Sequence, residues 1–194
     1  TSAVLLLLAL PALVRTQDLP GHSKPSAYHL DIYVPDLATS STFNASVEIN
    51  VTVTISTDSF VLHAEGLGID RSRVSVQYHS RLRGWRPESV SDVVYNGSLL
   101  EIKLERPGLT GDYILTIGYT GTFQNEMAGF CKVGYHFNRM QKYMAVTNFE
   151  PTNARKVFPC YDEPPHRTKF VLDITVNKSL FVLSSIRPTY IHNV

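Results

Sequence analysis

Residues 148–165 read NFEPTNARKVFPCYDEPP, which holds Glu150, Arg155, Cys160, Asp162 and Glu163 in one short stretch. Carboxylates and a guanidinium can bind the charges of a ligand, or they can pair with one another and close a bend. The prolines fix φ and donate no backbone hydrogen bond, so the stretch is a shaped loop rather than a periodic element. Loops braced on a scaffold often carry function. A bend that only pairs its own charges has the same composition, and residue types do not separate the two. Metal chemistry has less support. His63, in LHAEGL, lies between apolar residues with no second ligand at useful spacing and reads as a strand histidine. Cys131 and Cys160 have no histidine pair nearby at zinc-ligand spacing. Two cysteines are too few for a disulfide framework, which leaves thiols or a single bridge.

The elements that must position this loop have a period of two. SVEINVTVTI (46–55) sets Val47, Ile49, Val51, Val53 and Ile55 against polar partners, as a half-buried strand does. The same style recurs at 28–34, 59–67, 73–80, 98–104, 112–123, 142–149 and 169–177, with turn residues at Asn96-Gly97, Pro107-Gly108 and Gly111-Asp112. Outside the apolar leader, no stretch of ten or more residues has a 3.6-residue period. Many short strands at even spacing predict an all-β fold, an antiparallel sandwich or barrel-like pair of sheets. Such folds host unrelated functions, so the architecture by itself decides nothing about activity.

The chain has 194 residues, enough for one domain that buries a core without disulfides. A formal net charge of +1, with no basic run, gives no footprint for nucleic acid. AVLLLLALPALV (3–14) is an apolar run followed by Arg15 and polar residues. It is shorter than the roughly 20 apolar residues of a spanning helix. Residues 1–16 therefore read as a secretory leader or as the surviving half of a signal anchor, and 17–194 as the β domain. The chain begins with Thr1 and lacks a basic segment ahead of the run, so its start is expected to lie further upstream. Four sequons, at Asn44, Asn50, Asn96 and Asn177, agree with routing to the lumen or cell exterior. Glycans need exposed side chains, which makes Asn96, at a turn, the safest site and Asn177 the least safe.

Four blocks in order, PSAYHLDIYVPDL (25–37), FNASVEINVTVTISTDSFVLHAEGLGI (43–69), YTGTFQNEMAGFCKVGY (119–135) and TNFEPTNARKVFPCYDEPPHRTKFVLDITV (147–176), resemble the N-terminal domain of the aminopeptidase N family of zinc metallopeptidases. The resemblance runs from about Pro20 to the end, and the last block is its most specific part. It implies a saddle-shaped all-β domain that caps a thermolysin-like catalytic domain of the same polypeptide. It also implies that Glu150 reaches into that domain's site and binds the free α-ammonium of a peptide substrate. A carboxylate in a confined site would hold the ammonium by a charge-assisted hydrogen bond and so set the distance to the scissile bond. Arg155, Asp162 and Glu163 are then structural, a guanidinium clamping carboxylates across a stiff loop. Cys160 sits where the family commonly has a cysteine, and reads as a buried thiol. Cys131 departs from the pattern, standing where relatives tend to place an aromatic after Gly-Phe.

Zinc in such enzymes is held by H-E-x-x-H on a helix together with a downstream carboxylate. No His-Glu pair occurs in these 194 residues, and NEMAG (125–129) only shares letters with the family's Gly-x-Met-Glu-Asn loop. The chain is therefore expected to be a β domain cut before its last strands, contributing a substrate-binding glutamate but no zinc ligand and no activity of its own. The alternative is a non-catalytic secreted binding or decoy module built from the same domain. An open reading frame past Val194 that encodes H-E-x-x-H favours the first reading, and an immediate stop codon the second.

Overall fold

The computed structural model describes residues 18–178 and 180–185, so the apolar run and its assignment as leader or anchor lie outside the described residues. Eleven strands follow in chain order: β1 (Ser23–Val34), β2 (Thr42–Val53), β3 (Thr57–His63), β4 (Gly68–Ser80), β5 (Gly84–Glu88), β6 (Val90–Tyr95), β7 (Leu99–Gly108), β8 (Gly111–Thr122), β9 (Gly129–Phe137), β10 (Met140–Asn148) and β11 (Lys169–Val176). Helical structure among the described residues is limited to one 3₁₀ turn, Ala154–Lys156. No described helix is long and apolar enough to cross a membrane.

The expected all-β sandwich is what forms. One sheet has six strands in the order β11-β1-β2-β8-β4-β5, and a second has three in the order β3-β7-β6. Period-two alternation explains the burial between them. On β2, Val47, Ile49, Val51 and Val53 are at most 2% exposed, while Glu48, Asn50 and Thr52 face out. On the three-stranded sheet Phe60, Leu62, Leu100 and Ile102 are fully buried, and Phe60 meets Tyr113 of β8 with ring centroids 5.3 Å apart. Residues of both sheets share one core. Ile55 departs from the alternation and is 65% exposed. The strand stops at Val53, and the chain turns there, with Thr54 and Ile55 donating backbone N–H bonds to the carbonyl of His22. The pleat that would have carried Ile55 inward is lost.

Nearly every strand pairing is antiparallel, but β11 lies parallel to β1, from Ala27 opposite Lys169 to Val34 opposite Val176. Parallel neighbours need a long crossover, and β11 is reached through the proline-rich stretch after β10. β9 and β10 form a separate two-stranded ribbon, closed by Asn138 and Arg139 at φ 50 and 63. A two-residue turn with both φ positive matches the right-handed twist of the strands it joins.

The two edges of the large sheet differ. β5 carries Pro87, which cannot donate to another strand and so protects its edge. β11 has no such guard, and its Phe170, Val171 and Leu172 are about half exposed. An unguarded apolar edge templates association. The 194-residue chain by itself should bind hydrophobic dyes and show a light-scattering mass that rises with concentration. A monodisperse monomer with a sharp melt would contradict this.

Candidate functional site

Residues 149–168 join β10 to β11 and contain every side chain that the opening stretch singled out. The turn forms because Asn153 reaches back: its backbone N–H donates to the carbonyl of Phe149 at 2.8 Å, and its side-chain amide donates to the carbonyl of Glu150 at 2.7 Å. The Glu150–Pro151 peptide is cis. The 3₁₀ turn follows, then the chain dives into the core with Val157, Phe158, Pro159, Cys160 and Tyr161 all buried.

Three sets of contacts hold this segment. Arg155 donates from Nε to the Asp162 carboxylate at 2.8 Å and from Nη2 to the Asp162 carbonyl at 3.0 Å, with the two side chains only 12% and 16% exposed. Its own carbonyl accepts the N–H of Glu65 at 2.8 Å. Cys160 exchanges both backbone bonds with His63, at 2.9 and 3.0 Å, an isolated bridge on the edge of β3 that β7 leaves open. Glu163 accepts the backbone N–H of Leu19 through one oxygen at 2.8 Å and meets the His166 ring through the other at 3.1 Å.

A tyrosine network under the loop had no signal in the sequence, because its members lie more than a hundred positions apart. The N–H of Tyr161 donates to the Tyr28 hydroxyl at 3.0 Å, and the Tyr161 hydroxyl bonds that of Ser23 at 2.9 Å. Burial pushes both phenols well above their ordinary pKa. Tyr28 also stacks on Phe170 of β11, with ring centroids 4.9 Å apart. A cleft of about 380 Å³ opens beside them, lined in part by Phe158, Tyr161, Glu163, His166 and Phe170.

Glu150 stands apart from all of this. It is exposed at the end of β10, and its carboxylate makes no hydrogen bond or ion pair among the described residues. The cations that could have closed the loop around it are engaged elsewhere, Arg155 with Asp162 and Lys156 with Glu65 at 3.8 Å.

Both cysteines are buried thiols. Burial raises the Cys160 pKa well above its ordinary value, and the nearby Asp162 carboxylate adds to the shift. Cys131 donates to the carbonyl of Val146 at 3.1 Å and touches the Met127 sulfur at 3.5 Å. Because the thiolate is the reactive form, Cys160 should resist iodoacetamide in the native protein even at pH 8 and label once denaturant is added. Rapid native labelling at Cys160 would overturn this. His63 is buried, at 1% exposure, within the core. Among the described residues, no three His, Cys, Asp or Glu side chains gather so as to hold a metal ion. The four sequon asparagines are exposed: Asn44 and Asn50 on β2, Asn96 in the turn before β7, and Asn177 just after β11.

The model of the peptidase M1 N-terminal domain matches residues 24–190. The chain is 35% identical over 167 residues to aminopeptidase M1-A of Oryza sativa subsp. japonica, covering 86% of this chain and 19% of that protein. Identity to aminopeptidase M1 of Arabidopsis thaliana is 31%, with the same coverage of both chains. To the thyrotropin-releasing hormone-degrading ectoenzyme of Rattus norvegicus it is 29% over 168 residues, covering 86% of this chain and 15% of that protein. The chain thus spans about a fifth of the length of the curated relatives it matches. Because the family model covers residues 24–190, most of the chain, the chain belongs to the peptidase M1 N-terminal domain family.

Proposed function

We propose that this domain serves a zinc-dependent aminopeptidase that removes residues from the free N-terminus of peptides, and that Glu150 binds the substrate's α-ammonium. The observation that carries this reading is the contrast within one loop. Arg155, Asp162, Glu163 and Cys160 are all committed to partners, while the Glu150 carboxylate is exposed and has none among the described residues. A charge left unpaired on a segment that rigid costs little in water and is pre-set to meet a cation. Arg155, Asp162 and Glu163 act as the brace that holds Glu150 in place.

Among the described residues no cluster gathers to hold a metal, and on this proposal the zinc ligands lie in a catalytic domain of the same polypeptide. That domain would cover Glu150 and remove it from water, which strengthens the contact with the ammonium. Routing to the lumen or cell surface is supported by the four exposed sequons and the apolar run, with the ectoenzyme among the relatives adding to it. Residues 1–16 would serve that routing as a cleaved secretory leader or as part of a signal anchor.

The test uses amino-acid arylamides with a free or an acetylated α-amine. The polypeptide that includes the catalytic domain should cleave only the free-amine series, lose activity to a chelator and regain it with zinc. The 194-residue chain should stay at background with or without zinc. Chelator-sensitive hydrolysis by the chain itself, or equal cleavage of acetylated substrates by the full polypeptide, would defeat the proposal.

A further inference from the structure

We propose that the cleft beside Asn50, on the outer face of the six-stranded sheet, seats the innermost sugar of an N-linked glycan on that residue, with Trp85 as its stacking wall. The inference rests on the lumenal routing proposed above. Asn50 opens the sequon Asn50-Val51-Thr52 and faces outward from the middle of β2. A cleft of about 270 Å³ adjoins it, lined by Ser26, Asn50, Val51, Trp85, Asp112 and Tyr113. That is below the roughly 300–1,000 Å³ of pockets that enclose drug-sized ligands, and it suits a single pyranose ring.

The lining has the amphipathic character of a sugar. One face of a pyranose is a row of C–H groups, and its rim carries hydroxyls and, in a hexosamine, an acetamido N–H. Trp85 is the chain's single tryptophan, lies on the edge strand β5 and is 44% exposed. It is held by the His79 ring, at 4.9 Å between centroids and 62° between planes. An aromatic face kept half in water by a neighbouring ring is suited to an apolar ligand face. Asp112 supplies the polar side. Its Oδ1 accepts the Thr52 hydroxyl at 2.8 Å, so the sequon's own threonine fixes the carboxylate, whose remaining acceptor capacity can take the acetamido N–H.

Asn50 also differs from two other sequon asparagines. The Asn44 side-chain oxygen accepts the Thr120 hydroxyl at 3.2 Å, and that of Asn96 accepts the N–H and hydroxyl of Ser98 and the N–H of Leu99. The Asn50 carboxamide makes no hydrogen bond among the described residues; its backbone belongs to the sheet, with the carbonyl also accepting the Ser26 hydroxyl at 3.2 Å. The side chain opens into the cleft with nothing else to hold it.

Attachment needs an oligosaccharide carried on a lipid pyrophosphate and the host's transferase, acting while β2 is still unpaired. The Asn50 Nδ2–C1 bond forms, the C1–O bond to pyrophosphate breaks, the lipid pyrophosphate leaves with the electron pair, and the amide proton passes to a base of the transferase.

The experiment uses the full polypeptide from a secretory host. Peptide mass spectrometry reads sugar occupancy at each sequon, and oxidative footprinting reads Trp85 by residue. Trp85 in the Asn50-glycosylated protein should oxidise roughly threefold more slowly than in Asn50→Gln, as its ring face loses contact with water. Amidase removal of the glycan from the folded protein should restore the faster rate, which avoids dependence on how the variant folds. Trimming to the innermost sugar should preserve protection, and Asn44→Gln should behave as wild type. Equal Trp85 rates with and without the glycan, or protection lost on trimming, would overturn the seating. An empty Asn50 with other sequons occupied overturns this inference alone; no sugar on any sequon overturns it together with lumenal routing.

Discussion

Glu150→Ala, made in the polypeptide that includes the catalytic domain, is expected to lower kcat/KM for free-amine substrates by roughly 10- to 150-fold. The figure follows from losing a charge-assisted hydrogen bond, about 1.5–3 kcal/mol, at roughly 1.4 kcal/mol per factor of ten. Zinc content and melting temperature should barely change, because the Glu150 carboxylate has no partner among the described residues to lose. Only its backbone carbonyl helps shape the turn, through Asn153, and alanine keeps that group. Glu150→Gln should fall between alanine and wild type, since an amide oxygen can still accept from an ammonium but carries no charge. Steady-state kinetics on a free-amine arylamide, set beside a thermal melt, decides the matter. A large drop in stability with unchanged turnover per folded molecule would make Glu150 a loop clamp.

Arg155→Ala should show the reverse pattern. Its guanidinium holds the Asp162 carboxylate at 2.8 Å and the Asp162 carbonyl at 3.0 Å, in a pair only 12% and 16% exposed. Removing one partner of a fully buried ion pair costs about 3–5 kcal/mol. Residual water access lowers this to about 2–4 kcal/mol here, or roughly 5–15 °C in melting temperature for a domain of this size. Activity should fall with the folded fraction and recover when assayed per folded molecule. Arg155→Lys should rescue only in part, since one ammonium cannot reproduce two bonds in a planar fork. Asp162→Asn should be milder than Arg155→Ala, because the amide oxygen still accepts from Nε. Unchanged melting in Arg155→Ala would show that the loop is braced by its burial at Val157–Tyr161 without the ion pair.

Much of the scaffold was legible in the residue order, because burial of alternate side chains on a pleat is a local rule. Val47, Ile49, Val51 and Val53 announced β2, and each is buried. The blocks around Tyr119 and Pro151 pointed to the family that the matches show. The less regular strands escaped notice. β5 contains Pro87, β6 is six residues long, and β9 is closed by Asn-Arg rather than by a glycine turn.

What the chain order left open was which partner each group would take. Near its charges, the opening stretch reads the same whether Arg155 meets Glu150, Asp162 or Glu163. Arg155 goes to Asp162 because the chain plunges between them, pinned by Cys160 against His63 and by Tyr161 against Tyr28. The parallel docking of β11 on β1 and the approach of Trp85 to Asn50 likewise join positions far apart in sequence. Alternation is written within a strand, so the regular strands and their inward faces could be read from residue order. Pairing depends on which surfaces the packed sheets bring together, so it took the folded chain to commit Arg155 to the loop and to leave the Glu150 carboxylate without a partner among the described residues.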